Sequence, residues 1–364
     1  MSYSAPRRSK RRLQHIEVSA SGYGEVKVEH GEKLEKAENE KGDGEKTTVK
    51  KEEAGESDYK RIKIETGIAA VRYARVEDGD LVSSETKQPK DWYKIYNEVA
   101  LMREHFESPV DTMGCESIPN TIRPGLSEMK PRVYRFQLLV SLILSSQTKD
   151  EVTYNAMVNL NRHLMDRGFE DGLTLEAVLT LSEAEVDGLI SKVGFHRKKA
   201  AYILKSAAIL KETAGSDVPQ TVDEITRLPG VGPKMAYLLI QRGWNINDGI
   251  GVDVHVHRLA QMWRWVPKSD SPERTRLALQ AWLPKKFWPE INPLLVGFGQ
   301  VVCVPRAGNC DICTLATKRL CPSASRSLAN TPLTPDRIAK LDKGRGSIKN
   351  LVLLNNLLKE KELF

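Results

Sequence analysis

The stretch LPGVGPKMA, residues 228–236, sets Lys234 directly after a Gly-x-Gly-Pro turn, and Asp253 follows nineteen residues later in GIGVDVHVHR. A helix N-terminus carries positive partial charge, so a cation at its start is locally unfavourable. An exposed amine of pKa near 10.4 is neutral in only about one molecule per thousand at pH 7.4. Desolvation and a neighbouring helix N-terminus both release the free base, which is a nucleophile. The competing reading is a lysine that contacts phosphate, and local sequence does not separate the two. Asp253 taken alone reads as an N-cap. Near Lys234 its carboxylate gains a second use, since it can accept a proton from the amine and stabilise positive charge developing on a sugar ring.

The second group is a run of cysteines. Cys303, Cys310, Cys313 and Cys321 form C-x6-C-x2-C-x7-C, four of the chain's five cysteines. In a reducing compartment such a cluster reads as metal binding before disulfides. The spacing alone suits either Zn²⁺ or an iron–sulfur cluster, since both accept four thiolates. Cys115 stands apart and reads as an ordinary thiol.

These groups need a frame, and the apolar pattern supplies a helical one. DWYKIYNEVALMREHF repeats Trp92, Ile95, Val99 and Met102 at helical spacing. YRFQLLVSLILSSQ, Tyr134–Gln147, is apolar almost all round and predicts a helix buried in a core. LTLEAVLTLSEAEVDGLISKVG predicts two short helices capped by Thr174 and Ser182. A longer helix runs through RKKAAYILKSAAILKETAG and closes at Gly215. VDVHVHR alternates like a strand but reads as a loop entering the next helix. An all-α fold follows. SIKNLVLLNNLLKEKELF, at the end of a 326–364 extension, predicts an amphipathic helix that docks on the core or binds a partner.

Residues 1–85 are charged, poor in large apolar side chains and expected to be a disordered tail. Residues 1–80 hold 17 Lys/Arg and 17 Asp/Glu, so the whole +7 excess lies in the rest of the chain. A basic folded part suits a polyanionic partner, nucleic acid first. PRRSKRR, Pro6–Arg12, is a basic run of the nuclear-import kind. With Glu17 the first acidic residue, the segment also fits a mitochondrial transit peptide or a solvated tail. No stretch resembles a membrane span or a secretory signal, from which a soluble intracellular protein is expected.

Asp223–Leu228, the PGVGP turn and a helix from Lys234 compose a helix–hairpin–helix. Gly230 and Gly232 permit the sharp turn and leave backbone N–H groups uncovered, a concavity for phosphate that reads no sequence. A plain αα-turn uses the same residue types. LPGVGPKMA followed by VDVHVHR resembles the helix–hairpin–helix and Gly/Pro…Asp signature of the DNA glycosylase superfamily. The lysine makes it similar to the bifunctional endonuclease III branch, and the proline in GVGPK resembles eukaryotic members. LLVSLILSSQTKDEVT, VGFHRKKAAYI and INPLLVGFGQ are similar to the same family, so the resemblance runs from about Trp92 to Ala324.

The resemblance implies a two-lobed helix–hairpin–helix glycosylase fold with DNA between the lobes. One lobe is continuous, 129–250; the other joins 86–128 to 251–325 and carries the cysteine loop. It implies a DNA glycosylase and AP lyase acting on oxidised pyrimidines in duplex DNA. Lys234 would attack C1′ and expel the base, with β-elimination of the 3′ phosphate from the resulting Schiff base. Asp253 would assist. Gln147 and Phe195 match the hole-filling and wedge positions that a flipped nucleotide requires. Read from the residues alone, Gln147 is also a surface helix-end residue and Phe195 a core aromatic. The family carries a [4Fe–4S] cluster on the four cysteines, usually with five residues before the last ligand where this chain has seven. The extra residues are expected to bulge outward, and Arg306, Lys318 and Arg319 suit phosphate contact. A monomer is expected, with protein partners through the tails. The rivals are a non-catalytic helix–hairpin–helix DNA-binding protein and an adenine-from-mispair glycosylase, the latter disfavoured by Lys234 and the short tail.

Overall fold

The computed structural model describes residues 71–81, 88–213, 215–306, 308–345 and 348–362. The helices that carry the argument are α1 (Trp92–Arg103), α2 (Pro131–Ser145), α3 (Asp150–Asp166), α4 (His196–Glu212) and α5 (Pro233–Trp244). They continue with α6 (Val254–Met262), α7 (Trp288–Val301), α8 (Thr314–Thr317), α9 (Pro335–Arg345) and α10 (Lys349–Glu362). Among the described residues there is no strand, as the helical periodicity predicts, and no helix is long and apolar enough to cross a membrane.

The α2 segment buries every residue from Tyr134 to Leu144, so the run that is apolar all round does sit in a core. Around it pack Met157, Leu160 and Leu164 of α3, Ile203, Ala207 and Leu210 of α4, and Leu238 and Leu239 of α5. Ile118 and Leu126 join the same core from before residue 129. Thr174 and Ser182 cap as expected, accepting from Ala177 N and Glu185 N, and Ser182 and Glu185 complete a capping box.

A second core is aromatic. Trp92 meets Tyr96, Trp282 and Phe287 at centroid distances of 6.1, 5.0 and 6.2 Å, and Trp263 meets Trp265 and Phe298 at 4.9 and 5.8 Å. This core therefore joins α1 to the chain after Asp253.

The expected disordered tail needs one correction. Residues 1–70 and 82–85 lie outside the described residues, but 71–81 are packed. Tyr73 and Val76 are buried; Val76 N donates to Asn97 Oδ1 at 2.8 Å and Val76 O accepts from Asn97 Nδ2 at 3.0 Å. Arg75 pairs with Glu104 at 2.6 Å, and Arg103, fully buried, donates to Tyr73 Oη and to Asp111. Two apolar residues in a charged stretch are too few to alter its composition, yet side-chain pairing to α1 holds them. The C-terminal helix docks: Leu351, Val352, Leu354 and Leu358 of α10 are buried.

Candidate active site

The hairpin's first helix is a single turn, Val222–Ile225, capped by Thr221, and is shorter than the expected Asp223–Leu228. Leu228 precedes a proline, which disfavours helical backbone there. Gly230 turns the chain with φ +77°, and any Cβ on it would come within 2.3 Å of the Tyr202 ring. Gly232 caps α5 in extended conformation with nothing within 4 Å of its missing Cβ, so the backbone faces open space. Pro233 takes the first helical position, where its absent N–H costs no bond, and Lys234 the second.

Lys234 is half-buried and lines a cleft of about 1210 Å³ together with Asp253, Gln147, Asp150, Cys115 and Gln300. Asp253 is the N-cap of α6, its Oδ1 accepting from His255 N at 2.9 Å and Val256 N at 2.8 Å. The cap reading of this aspartate holds. The cap uses one carboxylate oxygen, and the residue still lies on the wall that carries Lys234.

Sequence reasoning missed three further wall residues. Asp150, first residue of α3, accepts from Gln300 Nε2 at 2.7 Å, and Gln300 Oε1 accepts from Val110 N at 3.1 Å. Burial raises the Asp150 pKa; the Gln300 bond and the Lys234 charge oppose the rise, and Asp253 adds to it. Cys115 is a free thiol whose pKa burial pushes up to about 11 against the pull of the Lys234 cation. The one sequence hint for Asp150 was its place three residues after Gln147 in SSQTKD.

Gln147 is exposed on this wall with a left-handed backbone, φ +50°. Phe195 is likewise left-handed, φ +58°, and 60% exposed, so it is not a core aromatic. It does not line the cleft. Its loop abuts the Gln147 loop, with Gly194 N donating to Thr148 Oγ1 at 3.3 Å. Non-glycine residues in this region cost about 1–3 kcal/mol each and persist only where their surroundings hold them.

The holder is Lys199 of α4, another residue that sequence reasoning missed. It is 3% exposed and donates to Leu144 O at 2.7 Å, Ser146 O at 2.6 Å and Thr148 Oγ1 at 3.1 Å. Burial pushes its amine down to about 8. Lys199→Met strands two backbone carbonyls, and an unsatisfied buried acceptor costs about 1–3 kcal/mol. We expect a stability loss of that order and weaker binding of lesion-bearing duplex, read by thermal unfolding and titration. Wild-type affinity in that variant would remove Lys199 from the site.

The cysteines follow α7. Arg258, from the helix that Asp253 caps, donates to Cys303 O at 2.5 Å and approaches Cys303 Sγ at 3.5 Å. The Sγ atoms of Cys303 and Cys310 both lie 3.9 Å from where a Cβ on Gly308 would stand. Burial raises the thiols of Cys303, Cys313 and Cys321, and each acts electrostatically on at least one other member of the four. Among the described residues no three His, Cys, Asp or Glu side chains gather as tightly as a single ion requires. Lys318 is not a phosphate contact as expected: it pairs with Glu98 of α1 at 2.7 Å. Nor does the long final spacing bulge outward. It forms α8, whose Thr314, Leu315 and Ala316 are buried. Arg306 and Arg319 are exposed.

Residues 140–285 match the model of the HhH-GPD superfamily of base excision DNA repair proteins. The Endonuclease III homolog of Schizosaccharomyces pombe is 43% identical over 250 residues, covering 69% of this chain and 67% of that protein. The Endonuclease III-like protein 1 of Gallus gallus is 44% identical over 240 residues, 66% of this chain and 80% of that one. The chain belongs to the endonuclease III family. It spans 64% of Endonuclease III homolog 1 of Saccharomyces cerevisiae, at 46% identity. A trapped endonuclease III–DNA covalent intermediate superposes with TM-score 0.47 at 24% identity, covering 61% of this chain and 99% of that one. As a member of the endonuclease III family the protein is a base-excision repair DNA glycosylase, and AP lyase activity is typical of that family. A non-catalytic DNA-binding protein is thereby set aside.

Proposed function

We propose that the protein excises oxidised pyrimidines from duplex DNA and cleaves the resulting abasic strand, using Lys234 as nucleophile and Asp253 as its partner. One observation carries this: the two residues, from different helices, share the wall of one cleft. The Lys234 amine attacks C1′ and the C1′–N bond breaks; the proton lost by the attacking nitrogen is relayed through Asp253 to the departing base, which leaves neutral. Asp253 takes the proton lost by the attacking nitrogen and opposes the positive charge on the sugar. The sugar opens to a Schiff base, a C2′ proton is removed, and the C3′–O bond breaks to release the 3′ phosphate. Water then frees the lysine.

The residues around this pair supply grip and space. Gly230 and Gly232 expose backbone N–H groups to a phosphate next to the α5 N-terminus. Gln147 fills the gap left by the flipped nucleotide, and Phe195 wedges the neighbouring stack. Separate aliphatic and aromatic cores support a division into two lobes, except that Ile118 and Leu126 pack with 129–250 and not with 251–325. Incubation with duplex carrying an oxidised pyrimidine tests the function. Free base and a nicked strand are expected, and tight binding with an intact glycosidic bond would overturn it.

Cys303, Cys310, Cys313 and Cys321 fit a [4Fe–4S] cluster. Buried thiols give up their protons readily only to a positive centre, and two of the four, Cys303 and Cys310, flank Gly308 with Arg258 beside Cys303. A bound cluster supplies a structural staple for the loop; Zn²⁺ is the alternative. Anaerobically purified protein is expected to be brown, with about four irons and four labile sulfides per chain. Stoichiometric zinc in colourless active protein would replace the cluster and leave the glycosylase reading intact. The Arg7–Arg12 run supports delivery to the nucleus, with the mitochondrion as second address, and a monomer suffices for the site.

A further inference from the structure

The cysteine loop is not held by its own residues alone. Asp311, between Cys310 and Cys313, is 2% exposed and lies beneath the C-terminal extension. Arg337 of α9 donates to both carboxylate oxygens of Asp311, at 2.8 and 3.3 Å, and to Asn309 Oδ1 at 2.9 Å. From α10, Asn355 Nδ2 and Lys359 Nζ both donate to Asp311 O, at 2.6 and 3.1 Å. Asn355 Oδ1 accepts from Thr317 Oγ1 at 2.8 Å, on the far side of Cys313. Asn355 itself is fully buried.

Apolar contacts would suffice to dock a helix anywhere along a greasy surface. A buried carboxylate paired with one arginine, and a buried amide satisfied at both ends, fix one register and point to one target. That target is the stretch between the second, third and fourth cysteines, including α8.

We propose that α9 and α10 are a latch on the cysteine loop, closed on Asp311, and that the latch sets how long the loop retains its iron. The second half rests on the cluster reading given above. Iron leaves only when the loop opens. Opening separates Asp311 from Arg337, Asn355 and Lys359 and leaves a buried charge without its partner. Loop opening and release of the extension are therefore one event. On this reading α9 and α10 serve the metal centre.

The test uses the full chain with its iron. Two rates are measured in wild type, Arg337→Ala, Arg337→Lys and Lys359→Ala: amide exchange across residues 309–321 and iron loss to a chelator. Arg337→Ala is expected to speed both by at least about tenfold, with exchange in α2 and α5 unchanged. Arg337→Lys, which keeps the charge, recovers part of the protection, and Lys359→Ala, at the half-buried rim, gives a smaller change in the same direction. Wild-type exchange and iron loss in all three variants would overturn the latch. Wild-type protein purified without iron, whose loop exchange still accelerates in Arg337→Ala, would overturn the cluster reading and support the latch.

Discussion

Lys234→Ala is expected to yield no borohydride-stabilised adduct with duplex DNA carrying an oxidised pyrimidine, where the wild-type chain is expected to be trapped. The adduct is a reduced Schiff base, so it requires an amine at C1′, and alanine has none to offer. DNA binding is expected to persist, because the proposed grip comes from the Gly230–Gly232 backbone and from basic side chains elsewhere. The same variant decides the phosphate-contact alternative. A lysine that only neutralised one phosphate would leave the adduct intact and reduce the salt dependence of binding by about 0.9 in log–log slope. An undiminished adduct in Lys234→Ala would therefore move the nucleophile elsewhere.

Asp253→Asn separates the observed helix cap from the proposed role in chemistry. Asparagine caps a helix about as well as aspartate, so stability changes by well under about 1 kcal/mol. The amide accepts no proton and carries no charge, so single-turnover excision falls by about 10²- to 10⁴-fold. A large loss of thermal stability with normal excision per folded molecule would reduce Asp253 to a cap. Asp150 shares the cleft, and burial holds its carboxyl above the usual range, so it is the side chain to watch for residual activity.

Local chemistry made much of this site legible in the sequence. Thr174, Ser182, Pro233 and the apolar run of α2 follow rules that act within a few residues, and each stands where those rules put it. Lys234 and Asp253, which both line the cleft, stood out because a helix-start cation and a helix-start carboxylate are each locally unusual or locally useful. What stayed hidden depends on partners far along the chain. Lys199 sits in RKK with nothing to mark it as the buried member; its acceptors are the carbonyls of Leu144 and Ser146. Lys318 looked like a phosphate contact until Glu98 was brought beside it. The burial of α8 was equally invisible, since Thr314–Ala316 are covered from α10, which sequence could only call amphipathic.

The segment before and along α1 has consequences for how the chain comes to be folded at all. Its partners are made last: Ala74 N binds Glu290, Gln88 binds Trp282 O, and Glu98 waits for Lys318, 216, 194 and 220 positions away. At synthesis rates of about 5–20 residues per second, Glu98 leaves the ribosome roughly 10–40 s before its lysine. Throughout that interval Trp92, Tyr96 and Val99, all buried in the finished molecule, have nothing to cover them. The α2–α5 core, whose members span only residues 118–240, is complete well before then. The nascent protein thus passes through a stage in which one half is native and the other displays a bare aromatic stripe. That is a surface for a chaperone to hold, and a chain released early, before Trp282 and Lys318, would carry it into solution as an aggregation-prone fragment.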